Sequence, residues 1–266
     1  MNSELKDLIE IMTGPGCNAA DAGVCRFDDV ADRLTGFAAD RLPENPTTVI
    51  TAVFPYKTAA NPENIARYAC LPDYHVRIGA RLQEATEKLK TLFRSFCFVP
   101  FCDNSPIPEV YAAAISGLGV IGKNGLLITK TYGSWVHIGE IVTDMPVACE
   151  PVPFTPCGTG DCCIRACPSG ALSSGQKKTQ CISAITQKKG ELTEEEAALL
   201  RKAGTVWGCD ICQEICPKNK GVPCAPESFE GEITGFHAGD SIEGRAFAWR
   251  GRDVLERNYQ FTEMIP

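Results

Sequence analysis

The sequence lacks an excess of positive charge: 26 lysines and arginines stand against 33 aspartates and glutamates, a formal net charge of −7 over 266 residues. With a pI near 5.1, broad attraction to nucleic acid is not what organises this protein, which leaves room only for a local basic patch. An apolar leader is also missing. Met1–Glu10 is polar and charged, so no secretory signal is expected. No stretch suits a bilayer: the longest mostly apolar one, Val110–Gly122, is too short and contains three glycines. Solenoid repeats and low-complexity tracts are absent. The expectation is a cytoplasmic protein with no membrane association.

What the chain has in abundance is cysteine, fifteen of them. Nothing directs export, and a reducing cytosol disfavours structural disulfides. Metal binding is the better account of that count. The remaining composition, 44% hydrophobic and 22% charged, is that of an ordinary globular protein. The length suits one large domain with an appendage, or two modest domains.

Periodicity predicts a helix over Glu4–Met12, where Leu5, Leu8, Ile9 and Met12 share a face, and a second around Phe27–Leu42. Thr47–Phe54, a β-branched run closed by Pro55, predicts a buried strand. Helices are expected over Asn64–Tyr68, Asp73–Phe93 and Glu109–Leu118, and strands over Phe96–Phe101, Leu126–Thr129 and Trp135–Thr143. Strands alternating with helices suggest an α/β or α+β domain over 1–148; pattern alone does not decide whether its sheet is parallel. From Pro151 the texture changes: Cys, Gly and Pro crowd together, and only Glu194–Ala203 reads as helix. Such a segment, 149–225, would be organised by bound metal. A C-terminal extension, 226–266, is expected to pack on the core.

Two cysteine runs carry the chemistry. Cys157, Cys162, Cys163 and Cys167-Pro168 form the first, and Cys209, Cys212 and Cys216-Pro217 the second, with Cys181 between them. In two-cluster ferredoxins a C-x2-C-x2-C-x3-C-P run gives three thiolates to one 4Fe–4S cubane and its last cysteine to the other. Applied here, one cluster takes Cys157, Cys162, Cys163 and Cys216, and the other Cys167, Cys181, Cys209 and Cys212. The regular run wants cysteine where Gly160 stands. Cys162 takes that corner, or Cys149 does, or one iron is left open. The competing reading is zinc held by paired C-x2-C knuckles. The remaining cysteines (17, 25, 70, 97, 102, 149 and 224) read as small buried hydrophobes.

Further motifs accompany these. Cys163-Ile-Arg-Ala-Cys167-Pro-Ser-Gly-Ala-Leu172, Cys181-Ile-Ser183 and Trp207-Gly-Cys-Asp-Ile-Cys-Gln-Glu-Ile-Cys-Pro217 occur with Ala66-Arg-Tyr-Ala69, Asp73-Tyr-His75 and Asp103-Asn-Ser-Pro-Ile-Pro-Glu109. Gly117-Leu-Gly-Val-Ile-Gly-Lys-Asn124, Tyr132-Gly-Ser-Trp135, Gly139-Glu140, Thr143-Asp144, Gly251-Arg252 and Arg257-Asn258 follow. In kind and order, from about residue 45 to 260, this set resembles the epoxyqueuosine reductase family, cobalamin-dependent enzymes with two 4Fe–4S clusters; reductive dehalogenases share the core more distantly. The resemblance implies an N-terminal α/β cobalamin-binding domain followed by a ferredoxin-like double-cluster domain. It implies that one cluster passes electrons to cobalt and that the other receives them from a donor such as a ferredoxin or flavodoxin. The substrate would be a nucleoside or another small molecule. Typical members continue into a helical-repeat domain that helps grip tRNA, so the acidic pI and the stop soon after Asn258 count against tRNA as direct substrate.

The same resemblance makes Asp103 the proton donor, which would need burial, from Phe98-Val-Pro-Phe101, to raise its pKa; the plainer reading is a turn cap. It places His75, Lys123, Asn124 and Ser134 around the cofactor; read plainly, His75 is structural and Lys123 is solvated. Gly117-x-Gly119-x-x-Gly122 follows a helix instead of opening one after a strand, which argues against a dinucleotide fingerprint. Arg245, Arg250, Arg252 and Arg257 form either a solvated face or a nucleic-acid contact. The rival functions are a plain ferredoxin-type electron carrier without corrinoid, and a reductase of another small substrate.

Overall fold

The computed structural model describes residues 3–153, 155–173 and 178–263. They divide into two compact units, 1–55 with 74–157, and 56–73 with 158–266. This differs from sequence boundaries at 148 and 225. Contacts, unlike composition, assign 56–73 to the later unit and leave the C-terminal stretch inside it.

The first unit is built on a four-stranded sheet of order β1-β2-β6-β3, from β1 (Asp21–Arg26), β2 (Thr48–Pro55), β3 (Phe98–Phe101) and β6 (Val136–Thr143). Every pairing is antiparallel, which makes this unit α+β in its strand pairing. Strand β2 is buried along its whole length because both faces are covered. Ile50, Ala52 and Phe54 point to one face, where α2 (Tyr74–Leu92) presses Ile78, Leu82, Ala85 and Leu89 against them. Val49 points to the other, where α3 (Glu109–Ile115) brings Ala112 and Ile115. A strand buried on both sides reads as a continuous apolar run, which is why Thr48–Pro55 was plain in the sequence. Helix α1 (Ser3–Thr13) buries Leu8 and Met12 in the α2-side core. The hairpin of β4 (Val120–Ile121) and β5 (Leu127–Ile128) includes the strand expected over Leu126–Thr129.

The predicted helix over Phe27–Leu42 is not formed. Strand β1 is followed by short 3-10 turns at Phe27–Asp29, Ala31–Arg33 and Ala39–Arg41. Phe27, Val30, Leu34, Ala38 and Leu42 all reach one core, so helical spacing survives while Gly36 and the turns break the backbone. Likewise Asn64–Tyr68 is not helical. Ile65 forms a parallel bridge with Trp207, and a 3-10 turn follows at Arg67–Cys70.

The second unit has its own core, Ile65, Ala69, Val206, Trp207, Phe236 and Phe247 with Val254 and Leu255. The last two come from α8 (Arg252–Glu263), a helix that the polar tail did not advertise. Short helices α4 (Cys162–Ala166), α5 (Ile182–Thr186) and α7 (Ile211–Glu214) stand among the cysteines, with α6 (Glu194–Ala203) held by a Thr193–Glu196 capping box. Among the described residues no helix is long and apolar enough to cross a membrane.

Candidate active site and cluster ligands

Strand β3 ends at Phe101, and the chain turns sharply at Asp103, whose φ of 63° is left-handed; aspartate tolerates that region better than most residues. The turn brings its carboxylate to His75, in the first turn of α2, with Nε2 to Oδ2 at 3.0 Å. The His75 hydrogen bond, ahead of any effect of burial, holds Asp103 below the ordinary carboxylate range. That corrects the expectation of a carboxyl raised by an apolar approach. Phe98 and Phe101 are buried in the sheet cores, while the Asp103 side chain is 59% exposed.

Tyr74 stacks between two histidines, 4.0 Å from the His75 ring and 4.2 Å from that of His137 on β6. Burial, reinforced by Arg77 and His75, pushes His137 down to about 3, so it stays neutral. Beyond Asp103 lie two more carboxyls. Glu140 on β6 is 1% exposed, and its Oε2 accepts the Ser105 hydroxyl at 2.5 Å. The Ser105 oxygen in turn accepts the Ile107 N–H at 3.1 Å. The Glu140 Oε1 is buried without a hydrogen-bond partner. Burial and the Glu109 charge raise Glu140; burial and Asp103 raise Glu109 to about 8.

The other predicted cofactor residues lie in the same unit. Lys123 and Asn124 sit in the β4–β5 turn, where the Asn124 Oδ1 accepts the Leu126 N–H at 3.3 Å and its Nδ2 is buried with no acceptor. Ser134 is 4% exposed. Gly139, beside Glu140, has a plain reason. A Cβ there would meet Leu82 at 2.9 Å and Phe54 at 3.1 Å, so the close approach of α2 requires glycine.

In the second unit two of the predicted cluster thiols feel the charge of others. Burial raises the Cys163 thiol, and Cys162 and Cys216 push the same way. Burial pushes Cys209 up to about 11, with Cys181 and Cys167 adding to it. Cys167 itself is lowered: burial opposes this, but the Ser169 hydroxyl, 3.6 Å from the sulfur, and the backbone at Leu172, Ser169 and Ala171 outweigh it. A sulfur so surrounded favours thiolate, the form that binds iron. All these cysteines are free thiols. Cys157 closes the first unit, and among the described residues no three His, Cys, Asp or Glu gather about a single metal ion. Of the cysteines read as buried hydrophobes, Cys17, Cys25 and Cys70 are buried, whereas Cys97 and Cys224 are exposed.

Sequence reasoning missed what steadies the second run. Asp210, next to Cys209, accepts the Arg67 backbone N–H at 2.6 Å. The Arg67 guanidinium donates to the Ala60 carbonyl at 2.6 Å and to Glu214 at 3.1 Å. The Trp207 indole donates to the Tyr68 hydroxyl at 2.8 Å, and a Cβ on Gly208 would lie 2.5 Å from Ala66. Thus Ala66-Arg-Tyr-Ala69 and Trp207-Gly208, far apart in sequence, brace one another. The basic patch is not a uniform solvated face. Arg245 donates to the Cys70 and Gly231 carbonyls, and Arg257 donates to the Lys188 and Gly190 carbonyls. Buried Asn258 donates to Thr186 and Val206.

Comparison with known proteins matches two stretches of the chain. Residues 38–104, which include His75 and Asp103, match the family described as epoxyqueuosine reductase QueG, DUF1730. Residues 156–219, which hold all eight predicted ligands, match the 4Fe-4S double cluster binding domain. A curated epoxyqueuosine reductase from Lactococcus garvieae is 31% identical over 245 residues, covering 82% of this chain and 69% of that one. One from Pseudomonas aeruginosa is 34% identical, covering 74% of this chain but 55% of its own, so the match spans about half of that relative. The fold is shared with a crystal structure of an epoxyqueuosine reductase holding an epoxyqueuosine-modified tRNA stem loop. There the TM-score is 0.81 at 23% identity, over 97% of this chain and 80% of that one. The aligned sequence, the double-cluster segment and the shared fold together place this chain in the epoxyqueuosine reductase family.

Proposed function

We propose that this protein is a cobalamin-dependent iron–sulfur oxidoreductase that reduces epoxyqueuosine to queuosine, presented on a tRNA stem loop. The observation that carries this reading is the His75–Asp103 pair, held inside the region that matches the reductase family on a chain that also matches a double-cluster domain. The tRNA-bound relative outweighs the argument from acidic pI, since a net charge does not forbid a local contact; Arg250, stacked on exposed Trp249 at 4.0 Å, remains available for one.

The residues suit the cofactors. Cys162 and Cys216 act on Cys163, and Cys181 and Cys167 on Cys209; these trios would supply most of two four-thiolate sets, to be completed by Cys157 and Cys212. The buried Asn124 amide without an acceptor suits a corrin's amide or phosphate oxygen, with Lys123 and Ser134 on the same stretch of chain. When bound, cobalamin supplies low-valent cobalt, the reductant that removes oxygen. The protein's part is protonic and positional. His75 donates to the Asp103 carboxylate, and the pair delivers the proton held between them to the departing oxygen. Neutral His137 and Tyr74 hold the His75 ring by stacking. A plain electron carrier would need neither a histidine–aspartate pair nor the carboxyls behind it.

The test is anaerobic reconstitution with iron, sulfide and cobalamin, followed by reaction with epoxyqueuosine-bearing tRNA and a strong reductant. Queuosine should form, and Asp103→Asn should abolish it while leaving about eight irons bound. Eight irons without corrinoid binding or product would show an electron carrier instead.

A further inference from the structure

The sheet interior carries a carboxyl that the chemistry above does not use. Glu140, 1% exposed, stands on a strand paired on both sides, opposite Thr51 of β2 and Phe101 of β3. Burying a carboxyl there costs free energy, and its Oε1 has no hydrogen-bond partner among the described residues. For stability alone, apolar side chains in place of Glu140 and its hydroxyl partner would serve as well. The carboxyl therefore calls for another reason.

Resting on the reductase reading above, we propose that Glu140 is a positioning residue for the His75–Asp103 pair: through Ser105 it fastens the loop carrying Asp103 to the sheet. Buried as it is, Glu140 does not reach substrate itself. It acts through Asp103.

The path of the chain carries the argument. Phe101 opposite Glu140 is the last pair of the β3–β6 ladder, so the loop leaves the sheet at Glu140. It returns to the same residue at Ser105, whose hydroxyl donates to the Glu140 Oε2 at 2.5 Å. Asp103 lies midway between these two attachments. One residue of β6 thus holds both ends of the excursion, the first by its backbone and the second by its side chain. The Ser105 oxygen also accepts the Ile107 N–H at 3.1 Å, which fixes the hydroxyl for its bond to Glu140.

Asp103 needs such a hold. Its φ of 63° is a left-handed conformation that a non-glycine residue keeps only when its surroundings impose it. Packing does little of this, because the side chain is 59% exposed. Pro106 and Pro108 have no N–H with which to tie the loop down. Thr35 supplies two further bonds, from its N–H to the Pro106 carbonyl at 2.8 Å and from its hydroxyl to the Ser105 carbonyl at 3.2 Å. Those grip backbone carbonyls that any sequence would offer. The Ser105–Glu140 bond depends on both side chains, and it lies nearer Asp103 along the chain than the Pro106 carbonyl does.

The experiment measures turnover and the Asp103 titration on the reconstituted holoenzyme. Ser105→Ala should lower kcat about a hundredfold, the scale of loss when a reacting group is displaced by about 1 Å. KM should stay within about twofold, since the lost geometry matters only in the transition state. Iron content and the unfolding midpoint should be those of the unaltered protein. Isotope-edited infrared titration should show the Asp103 carboxyl, held low by His75 in the unaltered protein, rising toward the ordinary carboxylate range. Glu140→Leu should match Ser105→Ala, and the double variant should be no worse than either, because both remove one bond. Glu140→Gln keeps an acceptor oxygen for the Ser105 hydroxyl and should restore most of what Glu140→Leu loses.

Unchanged turnover, or an unmoved Asp103 titration, in Ser105→Ala overturns the inference. So do losses that multiply in the double variant, or a fall in turnover that only follows loss of folded protein. If Glu140→Leu does not fold, Ser105→Ala and Glu140→Gln decide the matter. Failure of the unaltered protein to make queuosine overturns the reductase reading instead, and the titration shift in Ser105→Ala still reads the fastening of the loop.

Discussion

His75 Nε2 and Asp103 Oδ2, from residues 28 positions apart, meet at 3.0 Å where the start of α2 faces the turn after β3. The histidine donates, and the aspartate stays ionised below its ordinary range. A residue expected to be a raised, waiting acid is thus a charged acceptor in the resting protein. Replacing His75 with phenylalanine should move the Asp103 titration upward, because the hydrogen bond that chiefly lowers it is gone while partial burial remains. Isotope-edited infrared titration of the aspartate carboxyl measures this directly. An unmoved titration would show that something other than His75 sets its acidity.

His137 links fold stability to pH. Its folded value of about 3 lies below the ordinary imidazole value of 6.5. Between those limits the unfolded chain binds a proton that the folded one does not, so stability is complete above about 6.5 and declines as pH falls toward 3. His137→Phe should keep the stack on Tyr74 and flatten this decline. Chemical denaturation at pH 7 and pH 4.5 would decide it, and an equal loss in both proteins would assign the acid sensitivity elsewhere.

The vacancy left by Gly160 makes a countable prediction. If Cys162 fills that corner, Cys162→Ala should lower bound iron from about eight to about four per chain, or leave a three-iron cluster with an altered paramagnetic resonance signal. Cys149→Ala should keep about eight. The opposite pattern would hand the corner to Cys149.

Gly139→Ala tests the packing of α2 on the sheet. The added methyl would press into Leu82 and Phe54, and overfilling a core in this way costs about 1–3 kcal/mol. Thermal unfolding should show the loss with no change in iron content. A neutral effect would mean α2 lifts away easily.

Much of this was legible in the chain itself, for reasons that differ by residue. The thiolates at 157–216 announce themselves because cubane loops demand fixed spacing. Thr48–Pro55 and Tyr74–Leu92 were readable because burial on two faces, or on one helical stripe, leaves a periodic mark. Strand β1, Asp21–Arg26, is too short to leave such a mark, and Phe27–Leu42 misled because it keeps helical spacing without a helical backbone. Glu109 and Glu140 appeared only as letters in a resemblance. Their raised pKa values arise from burial and from neighbouring carboxylates, Asp103 for Glu109 and Glu109 for Glu140, a neighbourhood that no local window contains. The role of Arg67 was equally invisible, since its partners stand at positions 60, 210 and 214.

The assignment of residues 56–73 to the later unit has a practical side. Anyone dividing this protein into pieces at a single bond near 157 would produce a C-terminal fragment without Ile65, Ala69 and Cys70, which help fill its interior. Such a fragment should come out of the cell insoluble. A grafted or recombined version needs two junctions on either side of that short excursion, or a linker that carries it across.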